Sequence, residues 1–215
     1  MNDDLLVEIL AEEIPAWMLE ERLGVLHTRL IELFSLYENG PVAPERIHCD
    51  ATSRRIWFRV AALSGQQPDR NEEVKGPPES VAFKDDEPTK ALAGFLRKNT
   101  ASAEQIVRRD GYVWLERTLP GRSLVDFVAA ELPAVFEAIR WPRMMRWGNG
   151  ELSFIRPIHV IVALHGSRLL ELEMFGISSS THTAGHRTRG KARIEVTSAD
   201  AWEESLRAQN VIVRV

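Results

Sequence analysis

The chain has 215 residues, is 44% apolar and 27% charged, and carries a net charge of −4: enough for one large domain or two small lobes with a core, and too acidic overall to coat a polyanion by bulk charge. One cysteine, Cys49, excludes an internal disulfide and a cysteine-based zinc site and indicates a reducing, cytoplasmic setting. The start is acidic (Asp3, Asp4, Glu8, Glu12, Glu13), the reverse of a secretory leader, and no apolar run approaches about 18 residues, so no membrane association is expected.

Leu5 to Leu10 reads as a short buried strand, broken by Glu12, Glu13 and Pro15. A long amphipathic helix is predicted from about Ala16 to Tyr37, because Leu19, Leu23, Leu26, Leu30, Leu33, Phe34 and Tyr37 recur three or four apart and Asn39-Gly40-Pro41 supplies a stop. Ile47–Thr52 and Ile56–Leu63 are expected to pair as strands about Ser53-Arg54-Arg55. From Ser64 to Thr89 the chain is polar and proline-rich and reads as an excursion, with Thr89 then capping a helix to about Lys98.

Asp110-Gly111 is expected to turn a hairpin between Ile106-Val107 and Tyr112 to Leu119, since a tight hairpin needs positive φ at both turn residues. Ser123 with Asp126 predicts a capped helix, kinked or divided at Pro133. Ile158–Leu164 and Leu169–Phe175 read as a second hairpin, and Ser178–Gly190 reads as a loop. Thr197 with Asp200 is expected to cap a last helix to about Ala208, and Val211–Val215 begins a strand that looks cut short. Strands and helices mix without a βαβ rhythm, so the predicted class is α+β, with mixed or antiparallel sheets packed against amphipathic helices and room for two lobes. The expected organisation is an N-terminal α+β lobe over residues 1–65, a proline-rich excursion with a short helix over 66–100, and a second α+β part over 101–215, truncated at its end.

Between Arg140 and Arg193 the charge reverses, with nine Lys or Arg against three acids. Arg140, Trp141, Arg143, Arg146, Trp147, Gly148 and Gly150 come first, and Gly185, His186, Arg187, Arg189 and Gly190 follow. Guanidinium forks bind phosphate, aromatic rings stack on bases and glycine permits close backbone approach, so the pattern suits an anion-facing surface as well as a solvated loop. In the first cluster Trp141 and Trp147 are also candidates for core cover. Gly185 to Gly190 brings an imidazole between two glycines and beside two arginines; with no orienting carboxylate in the segment, binding is favoured over catalysis. His182 and His186 are four apart, but the glycines and threonines around them argue against a metal-binding helix, and no metal is assigned. Lys75-Gly76-Pro77-Pro78 reads either as a rigid solvated loop or as a lysine held out towards an anion. Arg54 and Arg55 are strand neighbours pointing to opposite faces, so one of them is expected to be structural. Glu12 and Glu13 suit acid–base work or the N-terminus of the following helix. No phosphate loop, GxGxxG, CxxC or GxSxG is present, and no self-contained active site is expected.

Taken in order, these motifs make the chain resemble the N-terminal part of the beta subunit of bacterial glycyl-tRNA synthetase. Leu5-Leu6-Val7-Glu8-Ile9 followed by Ala11-Glu12-Glu13-Ile14-Pro15 is similar to that family's opening, and Ala51-Thr52-Ser53-Arg54-Arg55 to its ATPRR, with Ser53 in place of proline. Gln67 to Arg70, Val74 to Pro78, Thr89-Lys90-Ala91, Gly94-Phe95, Met145 to Gly148, Phe154 to His159 and Gly185-His186-Arg187 follow collinearly. The resemblance implies a heterotetrameric ligase of two alpha and two beta subunits that joins glycine to tRNA with ATP. It implies no cofactor on this fragment, ATP and magnesium at the alpha subunit, and three partners: that subunit, tRNA and the remainder of the beta chain. The fragment is then expected to be inactive alone and to act by binding, with Arg54, Lys75, Arg146, Arg156, His186, Arg187 and Arg189 touching RNA phosphate or the partner. The alternatives are a pure assembly platform docking through Trp141, Trp147 and the acidic front helix, and an editing-type hydrolase built on His186 with Glu12 or Glu13.

Overall fold

The computed structural model describes residues 2–146 and 153–213, and the fold is α+β. The chain divides into two compact units, one formed by residues 1–67 and 122–215, the other by Pro68–Gly121. The expectations placed on Trp147, Gly148, Gly150 and the end of the chain at 214–215 lie outside the described residues.

In the larger unit β1 (Asn2–Ala11) runs through the middle of a mixed sheet. Its run Leu5-Leu6-Val7-Glu8-Ile9-Leu10 is apolar at every position but one, as a strand covered on both faces requires. After a 3-10 turn at Ala16–Met18, α1 (Glu20–Tyr37) lays Leu26, Leu30, Leu33, Phe34 and Tyr37 on the sheet. The hairpin of β2 (Ile47–Thr52) and β3 (Arg55–Ser64) follows, with β3 antiparallel to β1. Cys49, on β2, is half-buried, and burial pushes its thiol up to about 11, which makes it a packing residue rather than a reactive one.

The smaller unit is a three-stranded antiparallel sheet: β4 (Arg70–Pro78) pairs with β6 (Tyr112–Leu119), which turns back on β5 (Ile106–Arg109). Asp110 and Gly111 take φ of 54° and 74°, the turn that Asp-Gly predicts. Helix α2 (Lys90–Lys98) covers one face through Leu92 and Phe95. Part of the expected excursion is therefore a strand. Gly76 makes that possible, since a β-carbon there would lie 2.9 Å from the Val113 carbonyl oxygen and 3.0 Å from the Phe95 ring, and the register slips between Lys75 and Pro78, where the prolines interrupt the ladder. Thr89 stands at the start of α2, but its hydroxyl donates to the Val81 and Ala82 carbonyls and does not cap.

Back in the larger unit, α3 (Leu124–Ala138) opens with the Ser123 hydroxyl accepting from the Asp126 amide and continues through Pro133 as one helix. Next, β7 (Ile158–His165) pairs with the other edge of β1. The expected partner strand at Leu169–Phe175 is broken: Arg168–Leu169 folds back on β7, whereas Glu173–Met174 pairs with β8 (Ile177–Ser180), which runs parallel to β7. The break lies at 170–172, and Phe175 and Gly176, with φ of 55° and 71°, form the tight turn from Glu173–Met174 into β8. The expected loop thus begins as strand β8. A two-residue ladder then joins His182–Thr183 to Ile194–Glu195. The last helix, α4 (Trp202–Arg207), starts later than expected: the Ser198 hydroxyl accepts from Ala201, and Asp200 is engaged by Arg59. No strand is assigned at 211–213.

Helices α1 and α3 cover one face of the sheet, and the segment from Val196 to Val213 covers the other. The second face holds the exception in β1. Glu8 is fully buried opposite Trp57 and accepts from Arg55 Nε at 2.9 Å, from the Thr183 hydroxyl at 2.5 Å and from the Trp202 indole N–H. Arg55 donates onward to the Ala184 carbonyl. One carboxylate therefore ties together β1, β3, the 182–184 segment and α4. Removing one partner of a buried ion pair leaves an uncompensated charge, so Glu8→Ala is expected to lower stability by about 3–5 kcal/mol. Urea unfolding checks this against Arg29→Ala, which removes an exposed pair with Glu32 and is expected to cost less than about 1 kcal/mol.

Candidate functional site

The positions where β1 ends, β2 turns into β3 and residues 184–192 loop back come together at one place. Two clefts of about 350 Å³ each open there. The first is lined by Glu12, Arg54, His159, His186, Arg187 and Lys191 among others, the second by Glu13, Thr52, Arg55, His186, Arg187 and Ile212 among others. Arg54 and the Gly185–Arg187 stretch border both, so the loop forms their shared wall.

The loop is shaped by its own hydrogen bonds. Gly185 donates to the Lys191 carbonyl, His186 to Gln209 and Gly190 to His186. The Thr188 amide donates to His186 Nδ1 at 3.3 Å. A β-carbon at Gly190 would lie 2.5 Å from the His186 nitrogen and 2.6 Å from the Gln209 carbonyl oxygen, and one at Gly185 would lie 2.7 Å from Gln209 Cβ. Both glycines thus let the loop close on itself and against the chain after α4. With these amides engaged, what the loop offers an anion is side chains, from Arg187 and Lys191 together with Arg54.

Of the two arginines at the hairpin, Arg55 is the structural one, with 3% exposure. Arg54 faces the clefts, its Nε 3.3 Å from the Ala11 carbonyl. The expected helix-terminus role of Glu12 and Glu13 is replaced by contacts on the site itself. The 3-10 turn after Pro15 has no acid in its first turn. Glu12 bonds His159 Nε2 at 2.8 Å, and Glu13 lies 3.8 Å from Arg187 with both side chains mostly exposed, a contact worth about 0–1 kcal/mol. The hydrogen bond from His159 holds the Glu12 carboxyl below its ordinary 4.5, with Arg54 and Arg187 adding to the effect. Against these two acids stand Arg54, Arg187, Lys191 and two imidazoles, so the clefts suit an anionic group.

The remaining expected contacts are dispersed. Arg156 is half-buried and donates to the Glu13 carbonyl at 3.0 Å and the Ile155 carbonyl at 2.7 Å, fixing the turn that carries Glu12 and Glu13. Arg146 is exposed on the short ladder with Ser153, and Arg189 is exposed beside Asn210; neither lines the clefts. Lys75 belongs to the smaller unit. Trp141 is 6% exposed and packs edge-on against Phe154, which removes it from the expected docking surface because its ring completes the core. Of the charged and titratable lining residues, His159 and Lys191 are the two that sequence reasoning did not single out. The carboxylate absent from the Gly185–Gly190 segment is bonded to His159 instead, a pairing across 147 residues with no local signature.

The family profile described as glycyl-tRNA synthetase beta subunit matches residues 5–215. The chain is similar to the glycine–tRNA ligase beta subunit of Thermotoga maritima, 36% identical over 208 residues that cover 96% of this chain and 30% of that protein. It is 36% identical to that of Desulforudis audaxviator, covering 99% of this chain and 31% of the relative, and 34% identical to that of Streptococcus thermophilus, with the same coverage. The chain spans about a third of the length of these relatives.

The Glu12 carboxyl provides a direct check on the site. Because its folded pKa is depressed, the stability that the Glu12 carboxylate adds through this shift is present above pH 4.5 and is lost as pH falls through the lower folded value. His159→Ala is expected to bring the carboxyl back up towards 4.5 in a carboxyl-carbon NMR titration; an unmoved titration contradicts the pairing.

Proposed function

The chain belongs to the glycyl-tRNA synthetase beta subunit family, and from that membership we propose that it serves as the N-terminal part of the beta subunit of a heterotetrameric glycine–tRNA ligase, contributing contacts to tRNA and to subunit assembly, not the aminoacylation site. In this reading ATP, magnesium and glycine are handled by the alpha subunit, the remainder of the beta chain follows Val215, and the enzyme works in the cytoplasm. The observation that carries the reading is the convergence of Arg54, His186, Arg187 and Lys191 on one loop wall, a cationic surface in an otherwise acidic chain. Guanidinium and ammonium groups at the mouths of two clefts suit the phosphates of an RNA backbone, whose binding releases counterions and is salt-dependent. Supporting a binding role over a hydrolytic one, the His186 ring has Thr188 and not a carboxylate as its hydrogen-bond partner. The one carboxylate-bonded histidine at the clefts, His159, is 46% exposed, whereas a general base benefits from a desolvated setting.

In the assembled alpha–beta enzyme, replacing Arg187 and Arg189 by alanine is expected to weaken tRNA binding. For each phosphate-binding cation removed, the slope of log affinity against log salt should also fall by about one. Arg187 lies on the cleft wall and Arg189 off it, so Arg187→Ala is expected to have a larger effect than Arg189→Ala. Unchanged affinity and slope in both variants would remove the tRNA-contact role.

A further inference from the structure

The smaller unit has a sheet whose two faces are unlike. On one face Val113 and Leu115 are fully buried, and Val113 packs with Ala82 and Leu92. Tyr112 and Trp114 alternate with them along β6 and project from the opposite face, where they add nothing to that core. Both are half-buried. The register sets Lys75 beside Trp114 on one flank, and Arg109 beside Tyr112 on the other. The Lys75 ammonium lies 3.5 Å from the Tyr112 ring centre and 5.9 Å from that of Trp114, while the Arg109 guanidinium carbon is 4.6 Å from the Trp114 ring centre. Further along the same face Asn71 and Thr118 bond each other at 2.9 Å.

From this juxtaposition we infer that the outer face of the β4–β6–β5 sheet is a stacking platform for unpaired bases of single-stranded RNA. The inference rests on the reading that the chain works on RNA and assigns a second, chemically different surface to it. The physical case turns on charge. Glu73 and Glu116 share the face and both bond Arg109, at 2.8 Å and 3.3 Å, so two acids balance two cations and the face holds no excess attraction for phosphate. The same two carboxylates pin the guanidinium beside the indole, which leaves a fixed planar group and two rings, the surfaces on which splayed bases stack. A duplex, with its bases already stacked, has no use for such a surface. The platform therefore binds through stacking with a shallow salt dependence, in contrast to the cleft, whose cations give a steep one.

The test titrates a short single-stranded RNA of mixed sequence against the full chain at several salt concentrations. Trp114→Ala is expected to weaken binding about tenfold while leaving the salt slope unchanged. Trp114→Phe should retain most of the affinity, and Lys75→Gln should lower the slope by about one at most. Should Trp114→Ala melt early, Tyr112→Ala carries the test, with a several-fold loss of affinity at an unchanged salt slope expected. Arg187→Ala in the same assay separates the two surfaces. A lowered slope with Arg187→Ala and no response to Trp114→Ala or Tyr112→Ala overturns the platform and leaves the cleft standing; the reverse pattern supports the platform and removes the cleft. Equal binding of double-stranded RNA also overturns it.

Discussion

A single charge inside an apolar strand organises the larger unit. Glu8 sits in the middle of β1 with no exposure, and burying a carboxylate is tolerable only when its lone pairs are matched. The matches come from far along the chain: Arg55 on β3, Thr183 before the cationic loop and Trp202 on the last helix. Nonpolar residues pack in many near-equivalent ways, whereas a buried carboxylate with three donors accepts few arrangements. Here it fixes which segment covers the second face of the sheet and at what height. The same constraint reaches the clefts, because Arg55 spans from Glu8 to the Ala184 carbonyl, one residue before the loop that forms their shared wall.

The cationic surface therefore rests on two kinds of support. Arg55 holds the loop's entry from beneath, while Gly185 and Gly190 let its two ends close against Gln209. Arg156 does comparable work on the neighbouring turn by donating to the Glu13 carbonyl. Several arginines that look alike in the sequence thus divide by role. Arg55 and Arg156 are occupied with the fold, and Arg54 and Arg187 face the clefts. The smaller unit uses its cations differently again, laying Lys75 and Arg109 over aromatic rings.

What was legible in the sequence was local. The stripe of α1, the β2–β3 hairpin, the Asp110-Gly111 turn and the Ser123 cap follow from periodicity, turn chemistry and side-chain capping within a few residues. The breaks in the expected pattern have distant or conformational causes. The expected strand Leu169–Phe175 is interrupted at 170–172, and Phe175 adopts a positive φ that its side chain gives no hint of, turning the chain into β8. Part of the proline-rich stretch became β4 because Gly76 could lie against Val113 and Phe95. Asp200 left its expected cap for Arg59, 141 residues away. At the site the pattern repeats. The Gly185–Arg187 motif and Arg54 stood out by composition, but His159 and its partner Glu12 meet only because β1 and β7 are paired. The role of Glu8 was hidden for the same reason, since its three partners lie between 47 and 194 residues away.

The central claim, that the buried Glu8–Arg55 pair positions the cationic loop, is tested most directly by amide hydrogen exchange in an Arg55→Lys variant. Lysine retains the charge, but as a single point it does not span Glu8 and the Ala184 carbonyl together. The account predicts faster exchange at Gly185, His186 and Gly190, with the amides of Leu5 to Leu10 in β1 still protected. Unchanged protection of the loop, or equal loss across the loop and β1, would contradict it.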